Sequence, residues 1–365
     1  MEILANIKEI KYTSYFSEDL KIVNIKRLNI NNCQSSCLVT HDNNIYAISK
    51  WVSPKRTRSY PYERVYNTLN NFKKITVIPI VKDEGLDGDR DYLQFDTISL
   101  MSLLNVYIIY GYYNSAERNF KYVNKITNQK FSNRYIKSKL RELNNYHSSA
   151  LHWNINELLK INILLKKANL AFKKVESKLK IKFHSKLGLE NFKKTLLSDI
   201  DIFRQHSRLK SQQAQHREFR TTQPKEFLSS VSKCKITVQN YLGGMYYLTM
   251  DENVVINRNL KIIESKFSNS SKLPSKSDIR DGLLKMVLFS NLDNVKIDNK
   301  KYIVTPILKL VSTKIKNSAT NKSSDSEIIN FIEQNKFKEN EKVQINILFK
   351  EANENNFIIQ ISGTI

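Results

Sequence analysis

A chain of 365 residues exceeds the roughly 250 to 300 at which a single hydrophobic core stops growing, so two domains are the first expectation. It carries 59 Lys and Arg against 35 Asp and Glu, a formal charge of +24, which favours nucleic acid over small acidic metabolites as partner; an AT-rich genome, which inflates Lys, Asn and Ile, is the competing source of that excess. With 41% apolar residues, 17 Phe and 18 Tyr the chain reads as folded, and 8 Gly with 6 Pro leave little for long flexible linkers.

The first stretch, MEILANIKEIKYTSYF, has no basic region followed by an apolar one, so it does not read as a secretory signal. No apolar run approaches the roughly 18 to 20 residues of a membrane span. A soluble cytoplasmic protein with no membrane partner is expected. Cys33, Cys37 and Cys234 are odd in number, and the C-x3-C pair lacks a second pair or nearby His, which suits free thiols in a reducing compartment better than zinc.

Residues 19–50 read as short strands, LKIVNIKRLNI, SSCLVT and NIYAISKW, with the turn-like HDNN between the last two. Next, KWVSPKRTRSYPYERVY sets Lys50, Lys55, Arg56, Arg58 and Arg64 among Trp51, Tyr60, Tyr62 and Tyr66. Two prolines keep it from being one regular element. It is a candidate for phosphate contact and base stacking, or a solvated basic loop leading into a helix.

KKITVIPIVKD and TISLMSLLNVYIIYGYY read as apolar strand sequence. Between them Asp87, Asp89, Asp91 and Asp96 form an acidic cluster. It lacks the spaced Gly and terminal Glu of a calcium loop, which leaves a turn with solvated or Arg-paired carboxylates, or an alternative metal-dependent active site built on Asp89, Asp91 and Asp96.

From 134 to 220 the period becomes helical. In NINELLKINILLKKANLAFKKVESKL, Leu158, Ile161, Leu164, Leu165 and Ala168 mark an apolar face between lysines. His206, Arg208, Lys210, His216, Arg217 and Arg220 continue the basic character. Strands return in KITVQNYLGGMYYLTM, VVI and LKIIESKF. Pro274 and Ser277 then mark the entrance to a helix over about 278–292. KKYIVTPILKL reads as another strand, 316–327 as a loop, and a last helix with the strands KVQINILF and NFIIQISG ends the chain.

Glu264 and Lys266 are two apart on a strand and share a face. A turn around Asn257–Asn259 folds the preceding strand back and brings Asp251 beside Glu264. Two carboxylates on adjacent strands suit Mg²⁺, which takes one or two protein carboxylates with water and phosphate. A lysine alongside can orient or deprotonate an attacking water or offset charge on a phosphate. No G-x-x-x-x-G-K-[ST] loop or G-x-S-x-G elbow supports ATP hydrolysis or a serine nucleophile, and the Gly243–Gly244 pair suits a turn. His184, His206 and His216 lack metal-ligand spacing and are assigned no chemistry.

This pattern resembles the PD-(D/E)xK nuclease superfamily, with Asp251 as first acid, Glu264 as second and Lys266 as the lysine, in the order strand, strand, helix, strand. Met250 stands where the motif often has Pro, and Glu252 is the alternative first acid. The blocks SYPYERVYNTL, ALHWN, AQHREF, NYLGGMYYLTMDE and LPSKSDIRDGLLKM are similar to those of uncharacterised bacterial proteins related to type II restriction endonucleases, over about residues 45–292.

The resemblance implies an α/β (α+β) fold, a mixed central sheet flanked by helices, with a strand-rich N-terminal region and a helical insertion. The expected organisation is an α/β region with a basic DNA-contacting loop over 1–133, a basic helical region over 134–222 and an endonuclease-like core over 223–365. It further implies Mg²⁺ held by Asp251 and Glu264, site-specific cleavage of double-stranded DNA, a homodimer and a cognate DNA methyltransferase. Lys55, Arg56, Arg58, Arg208, Lys210, Arg217 and Arg220 are the expected phosphate contacts. The alternative is a non-catalytic nucleic-acid-binding protein in which Glu264 and Lys266 form only a cross-strand ion pair.

Overall fold

The computed structural model describes residues 2–54, 61–185, 187–188, 190–192, 194, 234–240 and 245–364. The fold is α+β with several mixed sheets. The chain forms two compact units, Met1–Glu18 with Lys210–Ile365, and Asp19–Leu209. The expected boundary at 133 falls inside the second unit, whose helices pack on its own sheet, and the N-terminal segment joins the C-terminal half.

Strand β1 (Glu2–Ile7) is the reason for that join: Ile3, Ala5 and Ile7 are buried at every second position, and its sheet partners lie more than 220 residues away. A strand's own letters do not say which strands it will pair with, so sequence proximity misplaces it.

The Asp19–Leu209 unit contains β2 (Ile22–Asn24), β3 (Ser36–His41), β4 (Asn44–Lys50), α1 (Pro61–Tyr66), β5 (Lys74–Pro79), β6 (Val81–Asp83), β7 (Arg90–Tyr92), α2 (Phe95–Leu103), β8 (Val106–Gly111), β9 (Tyr113–Arg118), β10 (Ile126–Phe131), α3 (Asn133–Asn144), α4 (Ala150–Leu159) and α5 (Ile161–Leu179). Its main sheet runs β2-β3-β4-β5-β8. Every residue of β8 is buried, as expected where both faces of a strand are covered.

On α4, Trp153 Nε1 donates to the Ile108 carbonyl at 2.8 Å, and Asn154 Oδ1 accepts from the Ile108 amide at 2.7 Å. These bonds satisfy the open side of β8, the edge strand. The segment 97–103, read as strand, is the helix α2. All nine of its residues are buried, so no amphipathic period distinguishes helix from strand there.

The other unit continues with β11 (Cys234–Asn240), β12 (Met245–Met250), β13 (Glu252–Ile256), β14 (Asn259–Ser268), α6 (Lys276–Phe289), β15 (Asp293–Ile297), β16 (Lys300–Lys301), β17 (Ile303–Ser312), β18 (Ser318–Thr320), α7 (Asp325–Gln334), α8 (Glu339–Glu354) and β19 (Ile358–Gly363). One sheet has the order β12-β11-β1-β15-β16 and another β13-β14-β17-β19-β18. In the second, β14, β17 and β19 are parallel neighbours and the edges β13 and β18 run antiparallel.

Three readings are corrected here. KVQINILF is part of helix α8, whose buried Ile345, Leu348, Phe349 and Ala352 follow helical spacing. The segment 316–327 contains the edge strand β18 and the start of α7. Helix α6 begins earlier than expected, capped by Ser275, whose hydroxyl accepts from the Asp278 amide at 3.1 Å.

The segment 12–16 is tied to α8 through buried Glu351. Its Oε2 accepts from the Tyr15 and Phe16 amides, each at 2.8 Å, and its Oε1 accepts from the Tyr12 hydroxyl at 2.6 Å. Among the described residues no helix is long and apolar enough to cross a membrane.

Candidate active site

β13 and β14 form a hairpin in register Glu252↔Ile263 through Ile256↔Asn259. Asn257 and Arg258 make the turn with φ of 52° and 77°, the two positive values of a type I′ connection, whose twist matches that of the strands. One step beyond the Glu252–Ile263 pair, Asp251 faces Glu264. The Asp251 amide donates to the Ile263 carbonyl at 3.1 Å, and its Oδ2 accepts from the Ser265 amide at 2.7 Å. The turn expected near Asn257 therefore does what the sequence required of it, although the returning strand is β13 and β12 belongs to a different sheet.

Leu260, Ile262, Glu264 and Lys266 alternate along β14 onto one face, and α6 lies on it. Gly282 permits the close approach: a Cβ there would stand 2.7 Å from Leu308 Cδ1 and 3.2 Å from Lys266 Cε. From one turn of α6, Asp281 and Lys285 reach the strand. Lys266 Nζ lies 2.8 Å from Asp281 Oδ2 and 3.1 Å from Glu264 Oε1, and Lys285 Nζ donates to Glu264 Oε2 at 2.7 Å. Glu252 pairs with Lys309 at 3.7 Å, so Asp251 is the acid brought to Glu264.

Five charged groups thus share a largely buried place. Burial would raise the Glu264 carboxyl, but Lys285 and Lys266 outweigh it and hold Glu264 below the ordinary carboxylate range. Asp251 goes the other way: burial and the Glu264 charge lift it to about 6, against smaller opposing effects of Lys285 and the Ser265 amide. Burial would lower both lysines, yet Glu264 and Asp281 raise Lys266, and Glu264 raises Lys285. Both ammoniums stay charged at neutral pH.

Among the described residues no group of three or more His, Cys, Asp and Glu is placed to hold a metal. A pair of carboxylates is nevertheless what Mg²⁺ characteristically takes from protein. Burial first and the Glu264 charge second lift Asp251; a cation between the two carboxylates would relieve the second of these, in competition with the lysines that hold both Glu264 oxygens.

Asp281 and Lys285 escaped the sequence reading. A lysine inside the apolar run GLLKMVLF, four residues after Asp281, was the available signal; at that spacing such a pair ordinarily marks a solvated helix face.

The other expected sites divide. Lys55, Arg56, Arg58, Arg208, Lys210, Arg217 and Arg220, with His206, His216 and Gly243–Gly244, lie outside the described residues. Trp51, Tyr62 and Tyr66 are buried core and offer no ring for stacking. Lys50 donates to the Ile30 and Cys33 carbonyls, and Arg64 to that of Lys50.

The acidic cluster lies along the turn before β7, β7 itself and the start of α2. Asp91 accepts from the Ser53 hydroxyl at 2.8 Å and is buried, as is Asp96 in the first turn of α2. Asp87 Oδ2 accepts from the Asn124 amide at 2.8 Å. Cys33 and Cys37 are free thiols, and His184 Nδ1 lies 2.8 Å from Asp83 Oδ1.

No protein-family model, no curated protein and no solved structure matches this chain.

Proposed function

We propose that this chain is a Mg²⁺-dependent endonuclease that hydrolyses phosphodiester bonds of double-stranded DNA, its core of the restriction-endonuclease-like type. The observation that carries the proposal is the pairing of Asp251 with Glu264 across a hairpin, with Lys266 on the same face and α6 leading on towards the parallel strand β17. Asp251 and Glu264 would hold the ion, which when bound supplies a Lewis acid for the phosphoryl oxygen and a more acidic water.

Lys266 stays protonated between Glu264 and Asp281. Its role in this proposal is to place positive charge where the phosphate gains negative charge, work that a group kept charged does better than proton abstraction. Lys285 keeps Glu264 ionised and oriented, and Asp281 fixes Lys266. The resemblance to type II restriction enzymes extends the proposal to a homodimer, a short recognition site and a partner methyltransferase.

One observation favours a second reading, a nucleic-acid-binding protein without turnover. Both Glu264 oxygens already have lysine partners, so the network is satisfied as it stands. Incubating unmethylated plasmid and phage DNA with and without Mg²⁺, using wild type, Glu264→Gln and Lys266→Ala, separates the two. Discrete fragments that require Mg²⁺ and both side chains support the nuclease. Intact DNA, with binding unchanged in the variants, supports the binder.

A further inference from the structure

The hairpin of β9 and β10 carries its apolar residues at the wrong end for a core. At its apex Phe120 is 100% exposed, Val123 63% and Tyr122 53%. Three adjoining apolar side chains left in water on a folded chain mark an interaction surface more often than three scattered ones do.

The apex is also built. Asn119 Oδ1 accepts from the Lys121 and Tyr122 amides at 2.8 and 3.1 Å, and the Asn119 amide donates to the Lys125 carbonyl at 2.8 Å. Asn124 pins the far side. Its amide donates to Asp87 Oδ2 at 2.8 Å and its Oδ1 accepts from the Lys182 amide at 3.0 Å. Its carbonyl sits where a Cβ on Gly85 would come within 2.1 Å, and Gly85 has φ +91°, so only glycine suits that turn. Phe120, Lys121, Tyr122 and Val123 are therefore displayed from a turn anchored on both sides.

The charge within the apex segment itself is basic, with Asp87 and Glu84 at its base. RNFKYVNK, residues 118–125, holds Arg118, Lys121 and Lys125 and no acid. Lys125 Nζ stands 5.6 Å from the Tyr122 ring centroid and 3.5 Å from Glu84, and Arg118 and Lys121 are exposed in the same segment. A protein partner would have to bring acidic groups to match; a duplex brings phosphates and aromatic faces together. Apolar wedges flanked by basic residues are how proteins partly unstack a base step from the minor groove, and ring-on-base stacking tolerates any sequence.

We infer that the 118–125 apex is a DNA-contact element, in which Phe120 and Tyr122 lie against bases while Arg118 and Lys121 neutralise phosphates. This deepens the proposed function and rests on duplex DNA being the partner. It replaces Trp51, Tyr62 and Tyr66, whose rings are buried, as the aromatic part of the DNA surface.

The test is anisotropy titration of a fluorescent 30-base-pair duplex without Mg²⁺, with wild type, Phe120→Ala, Tyr122→Ala and Lys121→Ala. A parallel duplex containing 2-aminopurine reports unstacking. Loss of a stacked ring is expected to weaken binding at least about 5-fold and, for Phe120→Ala, to abolish the 2-aminopurine rise, with the salt dependence unchanged. Lys121→Ala is expected to reduce the salt slope by about one.

Wild-type affinity and fluorescence in both ring variants, while the wild type binds and cuts DNA, would overturn the apex and leave the nuclease standing. Ring-dependent binding without Mg²⁺-dependent cutting would keep the apex and remove the nuclease. A wild type that binds no duplex removes both. Loss of self-association in Phe120→Ala on sedimentation, with DNA affinity intact, would assign the apex to a second copy of the chain and overturn the inference.

Discussion

Lys285, on α6, donates to Glu264, on β14, across 2.7 Å, where the Glu264 side chain is only 3% exposed. Removing one member of such a pair leaves a buried charge short of its partner. Lys285→Met is expected to destabilise the chain by about 3 kcal/mol, while Lys285→Met with Glu264→Gln recovers most of that loss. Urea titrations of the two singles and the double, read as a cycle, measure the coupling.

Asp251 makes stability depend on pH in a direction unusual for a carboxylate. The folded chain holds this proton up to about pH 6, against an ordinary value of 3.8. Its contribution to stability is full below 3.8 and lost as pH rises through about 6, where the ionised group is forced to stay out of water and to face Glu264. The whole shift corresponds to about 3 kcal/mol at most. Asp251→Asn should therefore be more stable than wild type at pH 8 and equal to it near pH 3.5. Denaturant midpoints at the two pH values check this, and a variant less stable at pH 8 contradicts it.

The same repulsion provides a signature of metal binding that needs no activity. On the proposed function Mg²⁺ would relieve the Asp251–Glu264 contact and bind the folded chain in preference to the unfolded one, so it should raise the melting temperature of wild type in proportion to the logarithm of its concentration. Asp251→Asn should show little rise. Because protons compete for Asp251, the wild-type effect should also fade as pH drops below about 6.

Arg258 adopts φ 77° in the turn that sets the hairpin register. A side chain in the left-handed region is strained, at roughly 1–2 kcal/mol, and glycine is not, although glycine loses more freedom on folding. Arg258→Gly is expected to raise stability by about 0.5–1 kcal/mol, measured by thermal melts, with the active-site network unchanged.

How much of this could be read from the letters depended on whether the deciding contacts were local. The hairpin was legible because its turn residues sit between the strand-like runs VVI and LKIIESKF, and that register alone delivers Asp251 to Glu264. Asp281 and Lys285 were not, because a polar pair at helical spacing looks the same whether it meets water or a buried strand. β1 was missed since its partners are distant in sequence. α2 was misread where apolar density concealed the helical period, and KVQINILF because Val343, Ile345 and Ile347 alternate with polar residues as in a strand. Phe120 and Tyr122 were overlooked for the opposite reason: apolar letters are assumed to go inside, and only the fold reveals that Phe120 does not.

The most direct test of the central claim is single-turnover cleavage of unmethylated plasmid across a Mg²⁺ series, comparing wild type with Asp251→Asn. The expected result is Mg²⁺-dependent linear product from wild type and a loss of at least about 100-fold in Asp251→Asn, the scale of one essential electrostatic contact in a hydrolytic site. Plasmid left intact by wild type at every Mg²⁺ concentration, or cut equally well by Asp251→Asn, would contradict the assignment of this buried carboxylate pair to catalysis.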